Sequence, residues 1–180
     1  MTDLLFHNAR ILDPAQTRDE IGFVAVSGDL ISASGAGTPP AELSAAAAKS
    51  HDCAGACLAP GLIDMRVQSA DPGAEHLEDL STLLRAAASG GITSIIALPD
   101  ARPVIDDASM IDSLSLRANR LGGVRLFLYG AATRKLKGKA MAELGLMADA
   151  GAVGFANGTR TIMDSLVMRR VLSYCGMLDR

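Results

Sequence analysis

The feature that most constrains this chain is a pattern repeated four times from about residue 58 onward. In each repeat an apolar, β-branched run is followed by a helical stretch that closes on glycine. "LAPGLIDMRV" (58–67) leads to "HLEDLSTLLRAAASGG" (76–91), where Leu77, Leu80, Leu83, Leu84 and Ala87 recur at helical intervals. "ITSIIALP" (92–99) leads to "DDASMIDSLSLRANRLGG" (106–123), whose acidic start suits a helix N-terminus. "VRLFLYG" (124–130) leads to "KAMAELGLMADAG" (139–151), and "AVGFAN" (152–157) to "MDSLVMRRVLSYCG" (163–176). Strands that are apolar throughout belong to a parallel sheet buried under helices. A spacing of about 30 residues fits βα units. Eight such units in a closed barrel need about 250 residues. Four units therefore make either an open four-stranded α/β sheet or the front half of a barrel.

The segment before this pattern, residues 1–58, reads as a small β module distinct from residues 59–180. "LLFHNARILD" is rich in strand formers and stops at Pro14. Strands at 22–27 and 30–34 flank Gly28-Asp29, a hairpin turn. "GAGTPPAELSAAAAKS" reads as a loop with one helical turn.

Composition narrows the possible roles. With 49% apolar residues and only 3% aromatics, the core rests on Ala, Leu, Ile, Val and Met. A net charge of −3, with four Lys and thirteen Arg scattered along 180 residues, gives no reason to expect nucleic acid or an anionic membrane as partner. No apolar stretch approaches the roughly 20 residues of a membrane span. The N-terminal decapeptide carries an early Asp and lacks the apolar core of a secretory signal, so a cytoplasmic protein is expected. Three cysteines, Cys53, Cys57 and Cys175, point to free thiols rather than a disulfide framework. His51, Cys53 and Cys57 lie close in sequence, but their spacing follows no standard zinc pattern, and incidental loop residues is the reading they favour.

The phrases Pro60-Gly61-Leu62-Ile63-Asp64, Asp71-Pro72-Gly73, Gly90-Gly91-Ile92-Thr93 and Pro103-Val104-Ile105-Asp106 fall at intervals that resemble the dihydroorotases of the cyclic amidohydrolase superfamily. The resemblance runs from about residue 2 to residue 175. It implies the first half of a (β/α)8 amidohydrolase barrel, preceded by the N-terminal part of a β-sandwich domain. It also implies the interconversion of N-carbamoyl-aspartate and dihydroorotate in pyrimidine biosynthesis, with zinc supplying hydroxide near neutral pH.

The residues that would carry this chemistry depart from the family pattern. Where the family's first barrel strand ends in His-x-His, this chain has Arg66 and Gln68. A guanidinium stays protonated and offers no lone pair to zinc, and an amide oxygen is a weak ligand. The family's substrate-binding arginine aligns with Ala70, and its substrate-binding asparagine with Asp100, whose charge would repel a carboxylate substrate. The aspartate of the fourth strand aligns with Asn157. Five positions with a chemical task are changed while the packing phrases stand. His7 and His76 lie at no strand end where they could replace a lost ligand.

A dismantled metal site is thus preferred to a relocated one. The expected protein is a non-catalytic dihydroorotase-like homologue that binds no metal, unlike its zinc-dependent active relatives, and serves as a structural partner of aspartate carbamoyltransferase. The alternative is an active metal-dependent dihydroorotase or related cyclic amidohydrolase, with missing ligands supplied beyond residue 180. Arg66 could bind a small anion or pair with Asp100. The open side of four βα units predicts self-association or marginal solubility.

Overall fold

A computed structural model describes residues 2–179, so Met1 and Arg180 lie outside the described residues. The chain divides into two compact units, one running through Pro60 and the other from Gly61, two residues later than the sequence suggested.

In the first unit, strands β1 (Thr2–Asp13), β2 (Arg18–Ser27), β3 (Leu30–Ala36), β4 (Ala47–Asp52) and β5 (Cys57–Leu58) form one sheet. Its order is β3-β2-β1-β4, with β5 also on β1. The Gly28-Asp29 turn joins β2 to β3 as expected, with Ser27 facing Leu30. Pro14 does end β1, where a short 3-10 turn begins and Asp13 Oδ1 accepts from Ala15 N at 3.0 Å. Helix α1 (Ala41–Ala46) sits where one helical turn was predicted. The surprise is β4, predicted as loop: its register, Thr2 facing Ala47 through His7 facing Asp52, is parallel to β1. An alanine run carries little strand propensity, and pairing with β1 overrides it. One sheet face buries Leu5, Phe23 and Ala25 against Leu43 of α1, and a separate cluster holds Ala9, Ile11 and Val24.

The second unit holds strands β6 (Leu62–Val67), β7 (Ile92–Ala97), β8 (Arg125–Ala131) and β9 (Gly154–Ala156), parallel and in sequential order. Helices α2 (Leu80–Ser89), α3 (Ala108–Leu121), α4 (Leu144–Asp149) and α5 (Ser165–Leu178) follow them one by one. Doubly wound sheets reverse their strand order at a switch point; this one does not. All four helices pack on a single face. Leu80, Leu83, Leu84 and Ala87 of α2 meet Ile95, while Ile111 and Leu114 of α3, Met147 of α4 and Val167 and Val171 of α5 surround Leu128. Alternation then turns Ser94 and Ile96, and Phe127 and Tyr129, to the opposite face. One-sided cover and sequential order define a half-barrel, and the open-sheet alternative is set aside. Leu126 touches both clusters, and α3 contributes to both, with Ala118 in the α2 cluster.

Three details differ from expectation. The first strand was expected to be buried, yet Leu62, Ile63 and Met65 are each about 60% exposed, because β6 is paired among the described residues only to β7. Helix α2 starts at Leu80 rather than His76, since Asp79 caps it by accepting from Thr82 N at 2.7 Å. Helix α4 spans only Leu144–Asp149. The backbone before it is engaged elsewhere: Thr133 bridges Met141, Arg134 N donates to Ala140 O at 2.9 Å, and Ala142 N donates to Ala132 O at 3.2 Å.

Candidate functional site

In a βα half-barrel the loops after the strands gather at the carboxyl ends of β6 to β9, and chemistry concentrates there. Three of the predicted positions, Gln68, Asp100 and Asn157, meet partners at that end. Gln68, one residue past β6, donates from Nε2 to Asp100 Oδ2 at 3.1 Å, three residues past β7. Asn157 follows β9 directly, and its Oδ1 accepts from the Thr133 hydroxyl at 2.6 Å, two residues past β8. Side chains thus link β6 to β7 and β8 to β9. Gly158 then brings the two pairs together: at φ +60°, a Cβ placed on it would lie 2.9 Å from Asp100 Cβ.

The Asn157 amide is fully committed. Its Nδ2 donates to Arg160 O at 3.0 Å and reaches Leu136 O at 3.5 Å, while Thr133 Oγ1 in turn accepts from Gly138 N at 2.9 Å. Thr133 is fully buried. This network pins the loop after β8 to the loop after β9. A carboxylate at residue 157 would turn one of its oxygens toward two carbonyl oxygens, so the site is shaped for an amide. Thr133 itself was not singled out from the sequence; its signal was a polar residue closing an apolar strand.

Arg66 stands apart. Its backbone N donates to Asp64 Oδ1 at 3.0 Å, and its exposed guanidinium has no hydrogen bond or ion pair among the described residues. The pairing with Asp100 weighed from sequence is not made, because Gln68 takes that carboxylate. The register of β6 slips between Asp64 and Val67, so simple alternation from Asp64 does not carry through to Gln68. Ala70 is half-buried in the following loop, where its carbonyl accepts from Ala74 N at 2.8 Å.

The Asp71-Pro72-Gly73 phrase has a structural task. The Asp71 side chain is completely buried, accepts from Leu80 N at 3.2 Å, and takes a two-pronged bond from Arg117. Gly73, at φ +103°, lies so close to Arg102 that an added Cβ would sit 1.7 Å from its carbonyl oxygen.

The remaining imidazoles and thiols do not gather into a centre. His7 on β1 faces Asp52, His51 on β4 meets the Phe6 ring edge-on at 6.0 Å, and His76 is exposed before α2. Cys53, Cys57 and Cys175 are free, and burial pushes the Cys53 and Cys175 thiols up, away from the thiolate a metal would need. Among the described residues no group of three or more His, Cys, Asp or Glu side chains could hold a metal ion. The donors at the strand ends (a guanidinium, an amide bonded to a carboxylate, and an amide turned toward carbonyls) do not fit zinc. No helix among the described residues is long and apolar enough to cross a membrane.

Comparison with known proteins agrees with the fold. L-hydantoinase (dihydropyrimidinase) from Arthrobacter aurescens superposes with a TM-score of 0.80 at 23% identity, over 99% of this chain and 39% of that one. The crystal structure of a dihydroorotase gives 0.60 at 11% identity, over 98% and 49%. In sequence, the chain is 36% identical over 173 residues to the dihydroorotase of Pelobacter propionicus and 38% identical over 172 residues to that of Geobacter sulfurreducens. Each alignment covers 96% of this chain, which spans 40% of the length of these curated relatives. The Dihydro-orotase-like family profile matches residues 55–177. With that match and those identities, this chain belongs to the dihydroorotase-like family.

Proposed function

We propose that the protein is a non-catalytic member of its family, one that keeps the barrel scaffold of pyrimidine biosynthesis and has given up metal-dependent ring hydrolysis. The observation that carries this reading is the wiring of Asn157. Where the family resemblance places a metal-binding carboxylate, this chain has an amide whose oxygen accepts from Thr133 and whose nitrogen donates to Arg160 O. The Gln68 to Asp100 bond supports it, because a residue at a metal-ligand position is instead tied to its neighbour across the sheet.

A scaffold that persists without its chemistry is retained for its surface. The role we propose is that of a structural partner of aspartate carbamoyltransferase, the preceding enzyme of the pathway, in the cytoplasm. The competing reading is an active cyclic amidohydrolase, and it is favoured by the relatives named dihydroorotase at 36–38% identity.

Two measurements separate the readings. Purified chain is dialysed against zinc and its metal content determined, and dihydroorotate hydrolysis is assayed with added zinc. Substoichiometric zinc and no turnover are expected. One tightly held zinc per chain, or zinc-dependent turnover, would overturn the proposal. Co-purification with aspartate carbamoyltransferase tests the partner role, and failure to associate at micromolar concentrations would remove it.

A further inference from the structure

The scatter of cations along the sequence has one exception. Three of the four lysines, Lys135, Lys137 and Lys139, fall in the loop that joins β8 to α4. That loop is held from within. Lys135 N donates to Asp106 Oδ2 at 2.8 Å, Leu136 N to Thr133 O at 2.9 Å and Gly138 N to Thr133 Oγ1 at 2.9 Å. Lys135 and Leu136 both adopt left-handed backbone, at φ +53° and +56°. Non-glycine residues pay for that conformation, and it persists where the surroundings impose it, often at sites of function. Here it buries Leu136 to 2% exposure while the lysines around it stay exposed.

Charge at the mouth divides by strand. The stretch between β6 and α2 holds four acids and no lysine or arginine, and between β7 and α3 three aspartates outweigh Arg102. Between β8 and α4 the balance reverses: four cations meet one acid, Glu143, which pairs with Arg134. Lys135, Lys137 and Lys139 have no ion pair among the described residues. Arg160, also exposed and without an ion pair, lies beside them, since its carbonyl and that of Leu136 face the same Asn157 amide. Gly138 packs so closely on this segment that an added Cβ would lie 3.3 Å from Thr161 O.

We propose that Lys135, Lys137, Lys139 and Arg160 form a docking surface for a short acidic segment of a partner protein. The inference rests on the reading of the chain as a scaffold, but its test reads the surface alone. Three observations set the partner's chemistry. Exposed ammonium groups without an internal partner attract carboxylates and steer the encounter. The backbone that carries them is already fixed, so little ordering cost falls on the loop when it binds. The third is the acid next door, which limits length. A nucleic acid is a continuous polyanion and would run from Lys135 onto Asp106 and Asp107, where it is repelled. Residues 132–143 also hold no aromatic side chain on which a base could stack.

Fluorescence anisotropy of a labelled hexaglutamate peptide, titrated with the purified chain, tests the proposal. Wild type is expected to bind at low ionic strength and to release the peptide as salt is added. Lys135→Glu, Lys137→Glu and Lys139→Glu together are expected to weaken binding by about tenfold or more, with circular dichroism unchanged. Lys137→Glu with Lys139→Glu, which spares the residue bonded to Asp106, should weaken it in the same direction. A charge-matched control on the exposed faces of α2, α3 and α5 (Arg85→Glu, Arg120→Glu and Arg169→Glu) should bind like wild type. No binding by wild type, an equal loss in the control, or lysine variants that bind as well as wild type would each overturn the proposal. Tighter binding of an oligothymidylate than of the peptide would also overturn it. Zinc-dependent turnover beside an intact peptide result would remove the scaffold reading and leave the acidic-segment surface standing. A failed peptide result on an inert, metal-free chain would do the reverse.

Discussion

Arg117 of α3 forks onto the buried carboxylate of Asp71, Nη1 to Oδ1 at 2.8 Å and Nη2 to Oδ2 at 2.6 Å. The loop after the first barrel strand is thereby anchored to the second barrel helix, and Leu80 N, at the first turn of α2, completes the carboxylate's partners. Removing the guanidinium would leave a carboxylate with no exposed side-chain surface and only backbone support. For Arg117→Met we expect a loss of about 2–3 kcal/mol, below the usual figure for a buried pair because Arg117 is itself half-exposed. Urea denaturation measures it. A loss within experimental error would show that the fork contributes little.

Asn157→Asp tests the shape of the mouth directly. The variant restores the charge that the family resemblance places here, but it exchanges a donor for an acceptor opposite Arg160 O. We expect destabilisation of about 1–3 kcal/mol, read as a lower thermal midpoint, and no gain of bound zinc. A variant as stable as wild type, with zinc bound, would mean that the loops rearrange freely around residue 157.

Gly73→Ala should be among the most damaging single substitutions. The added Cβ would collide with the Arg102 carbonyl, which is backbone and cannot rotate away, and the φ of +103° disfavours any L side chain. Several kcal/mol are expected, about 3 or more, and loss of soluble protein is the simplest readout. Gly91→Ala is the control, because its positive φ is not accompanied by any atom within 4 Å of the added Cβ.

Acid should loosen α2 and α3 through their caps. The backbone N–H and hydroxyl of Thr82 hold Asp79 below its ordinary 3.8, and the Ser109 hydroxyl, with Met110 N, does the same for Asp107. A carboxyl whose folded pKa is depressed stabilises the fold above its unfolded pKa, and that contribution is lost as pH falls through the folded one. Stability should therefore begin to decline near pH 4 and continue falling below it. Asp79→Asn and Asp107→Asn variants should show a shallower decline over the same window in a series of denaturation curves. An unchanged slope in both would remove the caps as its source.

The alternation of strands and helices was legible because each apolar run and each glycine stop carries its own local signal; it left an open sheet and a half-barrel both possible, and the sequential order β6 to β9 is what separates them. Strand β4 was not legible, since nothing in "AAKSHD" favours a strand until β1 lies beside it. The shortness of α4 had the same cause, its upstream backbone being spent on the residues after β8. At the mouth, Arg66, Gln68, Asp100 and Asn157 could be picked out by their departure from a pattern. Their partners could not, because Thr133 and Asn157 are 24 positions apart and Gln68 and Asp100 are 32 apart. The Asp71–Arg117 fork, 46 positions apart, was hidden for the same reason.

Helix α3 and Leu126 belong to both hydrophobic clusters of the second unit, and this decides how it comes apart. A helix buried in one cluster could detach and leave the other intact. Here Ile111 and Leu114 serve one cluster while Ala118, a turn further on, serves the other, with Leu126 beneath both. Opening either cluster strips the cover from its neighbour. The four βα units should then melt as a single cooperative body, with no partly unfolded half surviving between the two states.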